Sequence, residues 1–147
     1  MKNLKHLLLN KLDSKILIGI AGFIGFADAS YLTVLSYSGS IPPCRIVSGC
    51  EEVLTSAYAY IWGVPLSLLG AVYYGAILLL LGLYWSKRTQ KTRTMIRLLA
   101  GAGIIATAYF VYLQALVLEA WCTYCLISAG TSSSIFLASL WLKPEGE

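Results

Sequence analysis

The chain has 147 residues, of which 58% are apolar (AVILMFWYC) and only 12% charged, with a mean hydropathy of +0.73 and a formal net charge of +4. A globular domain carries roughly 25% charged residues, about twice this share. These values exclude a disordered chain, a nucleic-acid-binding arm and an ordinary water-soluble domain, and place the protein in a bilayer.

A hydrocarbon core of ~30 Å takes ~20 apolar residues of helix. Four segments meet that length: residues 16–37, 64–85, 98–118 and 123–142. Together they predict an all-α, four-helix transmembrane bundle in a single domain over 1–147, with one sizeable loop at 38–63. A second reading takes the basic start, the run Ile16–Phe26 and Ala27-Asp28-Ala29 as a signal peptide with its cleavage site. The apolar run continues through Tyr31–Tyr37, which favours an uncleaved spanning helix.

Positive charge sets the orientation. Lys2, Lys5, Lys11 and Lys15 precede the first span, and Lys87, Arg88, Lys91, Arg93 and Arg97 lie between the second and third. Nine of the 11 basic residues thus fall on one side, with Lys143 beside them, whereas the 38–63 loop holds only Arg45. Both termini are expected in the cytoplasm of a multi-pass plasma-membrane protein, with the 38–63 loop and the turn at Glu119 outside. Trp62 and Trp121 fall at outer span ends, Trp85 and Trp141 at inner ends, as an aromatic belt would. Pro65 suits the first turn of the second span, where its missing N–H costs nothing.

The orientation uses no cysteine, yet it brings all four to the outer face, where disulfides form and persist. Cys44 and Cys50 lie in the loop with Pro42, Pro43 and Gly49; Cys122 and Cys125 open the fourth span as a C-x-x-C. At a helix start, unpaired N–H groups and the positive end of the helix dipole favour a thiolate. The C-x-x-C spacing also lowers the first cysteine's pKa and puts both sulfurs on one face. Thiol–disulfide exchange moves two electrons per step, so a buried dithiol ending such a relay needs a lipid-soluble two-electron acceptor, and a quinone is the natural one. Two structural disulfides or a four-thiolate metal module are the competing readings. The x5 spacing is wider than the usual zinc half-site, and a C-x-x-C at a helix start is a reactive environment rather than an inert one.

Cys44-x5-Cys50, the stretch Glu51-Glu52-Val53-Leu54-Thr55-Ser56, then Gly63-Val64-Pro65 with Gly70, then Cys122-Thr-Tyr-Cys125 occur in an order and spacing that resembles the vitamin K epoxide reductase family over roughly Gly25 to Ala129. The resemblance implies a four-helix bundle around a quinone of the ubiquinone or menaquinone class. It implies that Cys122 and Cys125 are the catalytic pair, Cys125 nearest the quinone, and that Cys44 and Cys50 are the shuttle pair. Ser56 falls on the family's loop Ser/Thr position near the redox centre. Ala129 stands where the animal enzymes place a quinone-bonding Tyr, Leu66 near where they place an Asn, and the Cys50–Pro65 loop is shorter. These departures imply different quinone contacts and speak against epoxide reduction as the physiological reaction. Only Lys143-Pro-Glu-Gly-Glu147 follow Leu142, so a microbial homologue acting on a separate thioredoxin-like (DsbA-like) partner is expected. Disulfide-bond-forming oxidases of the type B class share four spans and two cysteine pairs but place the C-x-x-C first; here it comes second.

Asp28 inside the first span is either a proton donor to reduced quinone or an interhelical hydrogen-bond partner. Gln114, about two turns before Cys122, has the same two readings. Gly19, Gly22 and Gly25, and Ser128 with Thr131 to Ser134, read as small-residue packing faces. Tyr73, Tyr74, Tyr109 and Tyr112 line a quinone pocket or pack against neighbours. His6 has no assigned role, and neither a nucleotide-binding glycine loop nor a hydrolytic triad is present.

Overall fold

The computed structural model describes residues 2–142, with side chains from Ser14 onward. Lys143 and the side chains of Lys2, Lys5, His6 and Lys11 lie outside the described residues. The elements run α1 (Lys2–Ser38), α2 (Cys50–Leu54), a short 3₁₀ turn (Ala57–Ala59), β1 (Tyr60–Ile61), β2 (Val64–Pro65), α3 (Leu66–Lys87), α4 (Gln90–Tyr112, extended by a π turn over Leu113–Val117) and α5 (Thr123–Leu140). Among the described residues, four helices are long and apolar enough to cross a membrane: Ser14–Ser38 within α1, then α3, α4 with its π turn, and α5. The protein is a multi-pass membrane four-helix bundle. Helix α1 runs unbroken through Ala27-Asp28-Ala29.

Neighbouring helices close a ring, with α1 against α3 and α5, and α4 against α5 and α3. Ile18, Tyr74, Ile77, Tyr84, Ile96 and Ile135 are fully buried between them. The small-residue stripe of α1 makes this approach possible. A Cβ at Gly22 would stand 2.9 Å from Leu78, and one at Gly25 would fall on the Tyr74 ring. The Tyr74 hydroxyl then crosses to α5, donating to the Ser128 carbonyl at 2.7 Å and sharing bonds with Ser128 Oγ (2.9 Å) and Thr131 Oγ1 (2.8 Å). In lipid, close backbone approach and interhelical hydrogen bonds supply the association that hydrophobicity supplies in water.

Helix begins well ahead of the expected span at two places, at Lys2 before residue 16 and at Gln90 before residue 98. The third helix starts at Gln90, eight residues before the expected 98, and the connection from α3 shrinks to Arg88 and Thr89. Arg88 takes a left-handed conformation (φ 47°) that ends α3. The basic residues thus ride on helix ends, because Gln, Lys and Arg are good helix formers. Arg97 uses this position to cap α5. Its Nε donates to Ser139 O at 3.0 Å, and its Nη2 donates to Leu140 O and Leu142 O at 2.9 Å each, satisfying carbonyls the helix end leaves unpaired.

The 38–63 loop is more ordered than a plain connection. Tyr60 pairs with Pro65 and Ile61 with Val64 across a two-residue turn in which Trp62 (φ 50°) and Gly63 (φ 80°) are both left-handed, the backbone of a tight hairpin turn. Pro65 consequently caps α3 and closes the hairpin rather than sitting in the helix's first turn. Trp62 is fully exposed at the tip.

Candidate redox site

All four cysteines gather at the bundle end opposite Lys15, Arg88, Arg93 and Arg97. The loop pair is joined as a Cys44–Cys50 disulfide with Cα atoms 6.0 Å apart. The two sulfurs differ in access: Cys44 is half-buried, Cys50 1% exposed. Cys50 opens the short helix α2, whose first turn carries Glu51 and Glu52, acids that suit a helix start. It packs into one small core with Val53, Ala120 and the fully buried Cys122, flanked by Cys44, Tyr124 and Cys125. Gly49 sets the fit: a Cβ there would stand 2.7 Å from Trp121 N and 2.8 Å from Trp121 O, both backbone atoms. Contacts also bridge loop and helix, with Thr123 Oγ1 3.8 Å from Cys44 Sγ and the Tyr124 hydroxyl donating to Pro43 O at 3.4 Å.

The C-x-x-C is positioned by a break in helical geometry. The π turn over Leu113–Val117 closes with Leu118 N–H on Leu113 O at 2.8 Å, and Glu119 turns left-handed (φ 48°). Gln114 holds this turn from both ends. Its carbonyl accepts Ala120 N–H at 3.1 Å, and its side-chain Oε1 accepts Cys122 N–H at 3.0 Å. Cys122 then leaves the turn extended (φ −107°, ψ 120°) and caps α5, its Sγ accepting Cys125 N–H at 3.4 Å. The free Cys122 and Cys125 thiols thereby share the helix's first turn. The Cys125 thiol, as donor to Cys122 Sγ, is the largest influence pulling the Cys122 pKa below the ordinary thiol range; the backbone N–H groups of Cys125 and Tyr124 add to it, against an upward push from burial.

Inward from this cluster lies a cavity of about 850 Å³. Cys125, Ser56, Leu66, Ala129 and Gln114, drawn from four separate segments, all reach its wall. So do Asp28, Tyr73, Tyr74 and Tyr109, while Tyr112 does not and is half exposed. Ser56 is turned by its own bond to Val53 O (2.7 Å) at the start of the 3₁₀ turn. Gly103 keeps α4 open to the Tyr73 hydroxyl, which reaches Ser132 Oγ at 3.4 Å. The cavity's size and largely aliphatic and aromatic lining match those of sites for apolar ligands.

Two features of the site carry no clear sequence signal. Gln114 serves the Cys122 backbone, a contact made possible only by the π turn, and neither the turn nor its left-handed exit at Glu119 follows from residue type. The role of Gly49 against Trp121 depends on two segments 72 positions apart in the chain. Among the described residues, no group of three or more His, Cys, Asp or Glu side chains is arranged to hold a metal ion.

The family model of the vitamin K epoxide reductase family matches residues 16–140, which include every helix that crosses the bundle. The thiol-disulfide oxidoreductase LTO1 of Arabidopsis thaliana is 39% identical over 121 residues, covering 77% of this chain and 32% of that protein. The chain spans about a third of the length of the relative it matches. With the two cysteine pairs gathered at one end of a four-helix membrane bundle, the chain belongs to the vitamin K epoxide reductase family.

Proposed function

We propose that the protein is a membrane thiol–disulfide oxidoreductase that passes electrons from a thioredoxin-like partner outside the cytoplasm to a quinone. The observation that carries this reading is the packing of the two cysteine pairs into one buried cluster with Cys125 on the wall of the cavity. A relay needs its sulfurs in contact and its last sulfur beside the acceptor. The basic helix ends at the opposite pole support placing that pole in the cytoplasm and the cysteines outside. The Arabidopsis relative's name supports thiol–disulfide chemistry.

Exposure sets the order of steps. Cys44 is the accessible sulfur of the loop pair, so a partner thiolate attacks it and releases Cys50. Cys50 lies in the same small core as Cys122 and attacks it when Cys122 and Cys125 are joined as a disulfide, freeing Cys125 at the cavity wall; the partner's second thiol then releases Cys44, whose thiolate takes back Cys50 and frees Cys122. Each exchange breaks one S–S bond and forms another. The cavity fits a quinone headgroup by volume and apolar lining, with Cys125, Ser56, Gln114, Leu66 and Ala129 around it. A bound quinone of the ubiquinone or menaquinone class supplies a two-electron acceptor. Asp28 Oδ2 is buried without a hydrogen-bond partner at the same wall, which supports a polar ligand atom there. The partner leaves oxidised and able to give disulfides to secreted proteins.

Replacement of Cys125 by Ser tests the scheme. Quinone-dependent oxidation of a reduced thioredoxin-like protein falls to background in that variant, and a Cys50–Cys122 disulfide accumulates in peptide maps. Retained quinone-dependent turnover in Cys125→Ser would reject the mechanism.

A further inference from the structure

Asp28 is an acidic side chain inside a membrane-spanning helix, where ionisable groups are costly and mark ion or proton paths. Its helix presents Asp28, Leu32 and Leu35 at helical spacing to the cavity. A structural role would pair the carboxylate with a neighbouring helix. Instead, Oδ2 is buried with no hydrogen-bond partner. The Tyr74 hydroxyl, on the same cavity wall, is committed to Ser128 and Thr131 on α5.

From this arrangement, and resting on the quinone reading above, we infer that Asp28 is the proton carrier of the last step, taking a thiol proton from the C-x-x-C and delivering it to an oxygen of the quinone. The balance is closed. Oxidation of the Cys122–Cys125 dithiol breaks two S–H bonds, forms one S–S bond and releases two electrons and two protons. Reduction of the quinone to quinol takes up both electrons and forms two O–H bonds. Asp28 carries one proton between the two and ends in the state in which it began; the other exchanges with water at the mouth. Geometry supports both ends of the transfer. Asp28 and Cys125 line the same cavity, and Asp28 Oδ2 is left without a partner there.

The groups facing this carboxyl are few. Tyr73 and Tyr74 of α3, Tyr109 of α4 and Cys125 of α5 line the same cavity, with Cys122 and Tyr124 beside Cys125 at the start of α5. None of these is a cation.

Two measurements on the full chain in detergent or liposomes test the inference, with ubiquinone-1 as the probe. The first uses the unmutated protein: dicyclohexylcarbodiimide, an apolar carboxyl reagent, labels Asp28, and ubiquinone-1 protects it. The second compares variants. Asp28→Asn, nearly the same shape, lowers the turnover number for ubiquinone-1 about 100-fold, within the range of a lost general acid–base group, with little change in KM. It also removes one titration from the pH profile, and Asp28→Glu restores part of both. Asp28→Asn turning over at the unmutated rate across the pH range overturns the assignment, as does labelling unaffected by ubiquinone-1 in protein that reduces it. Should the unmutated protein fail to reduce any quinone while exchanging disulfides with its partner, the quinone reading itself falls and this inference falls with it.

Discussion

The side-chain oxygen of Gln114 accepts the backbone N–H of Cys122 at 3.0 Å, eight residues along the chain and across a π turn. Both residues are buried, Gln114 at 3% and Cys122 at 0% exposure. A donor just ahead of a helix has no partner within that helix, and in an apolar bundle no water reaches it. The glutamine therefore fixes where α5 begins and hence where the C-x-x-C points.

Gln114→Leu leaves the Cys122 N–H buried and unpaired, a cost of about 1–3 kcal/mol. The expected outcome is a lower unfolding temperature in detergent and slower disulfide closure between Cys122 and Cys125. Gln114→Glu keeps an acceptor and recovers most of the loss. Thermal melts and stopped-flow oxidation measure the two effects. Equal stability and rate in Gln114→Leu would show that the bond positions nothing.

Gly49→Ala places a methyl group against Trp121 backbone atoms, which cannot swing aside as a side chain would. Overpacking of this kind costs about 1–3 kcal/mol, and here the relief is displacement of the Cys44–Cys50 loop from the C-x-x-C. Electron transfer from a thioredoxin-like protein is expected to slow at least tenfold. Oxidation of a small dithiol that reaches Cys122 and Cys125 directly should change far less. Equal slowing of both substrates would mean that the whole bundle, not the junction between the pairs, was disturbed.

Cys122 is expected to ionise below the ordinary thiol range, chiefly because the Cys125 thiol donates to its sulfur, helped by backbone N–H groups and opposed by burial. Between that depressed value and the higher unfolded value, the folded reduced chain binds fewer protons than the unfolded one. Its stability therefore rises with pH through this window, is fully present above the unfolded value and is lost as pH falls through the folded one. In a Cys44→Ser/Cys50→Ser background, the ultraviolet thiolate absorbance gives the midpoint directly. Cys125→Ala removes the main donor and moves the midpoint up; a midpoint unmoved by that change would contradict the assigned cause.

Much of this was legible in the residues. The apolar run at 16–37 lies inside α1, and the run at 123–142 begins with α5 and ends two residues beyond it, because a long apolar run has no other stable state in lipid. Cys125, Ser56, Leu66 and Ala129, the positions that the resemblance singles out, line one cavity. The expected span at 98 begins later than α4 because hydropathy reports where a helix is apolar, not where its backbone is helical, and Gln90, Lys91, Arg93 and Arg97 are polar residues that form helix well. The hairpin at Trp62 was missed because its turn lacks the usual Asn-Gly or Asp-Gly signal.

Composition and pattern alone determined that the chain crosses a bilayer four times and that its four sulfurs fall toward one pole, since partition into lipid is a sum of local residue properties. Only the tertiary structure decided which sulfur is reachable, that Gln114 serves a backbone donor, and that Asp28 stands at the cavity wall with an unpaired oxygen. Those outcomes depend on how α1, α4 and α5 meet, on glycines that let them approach, and on a single irregular turn. Such contacts join residues far apart in the chain, and no local property of either partner encodes them.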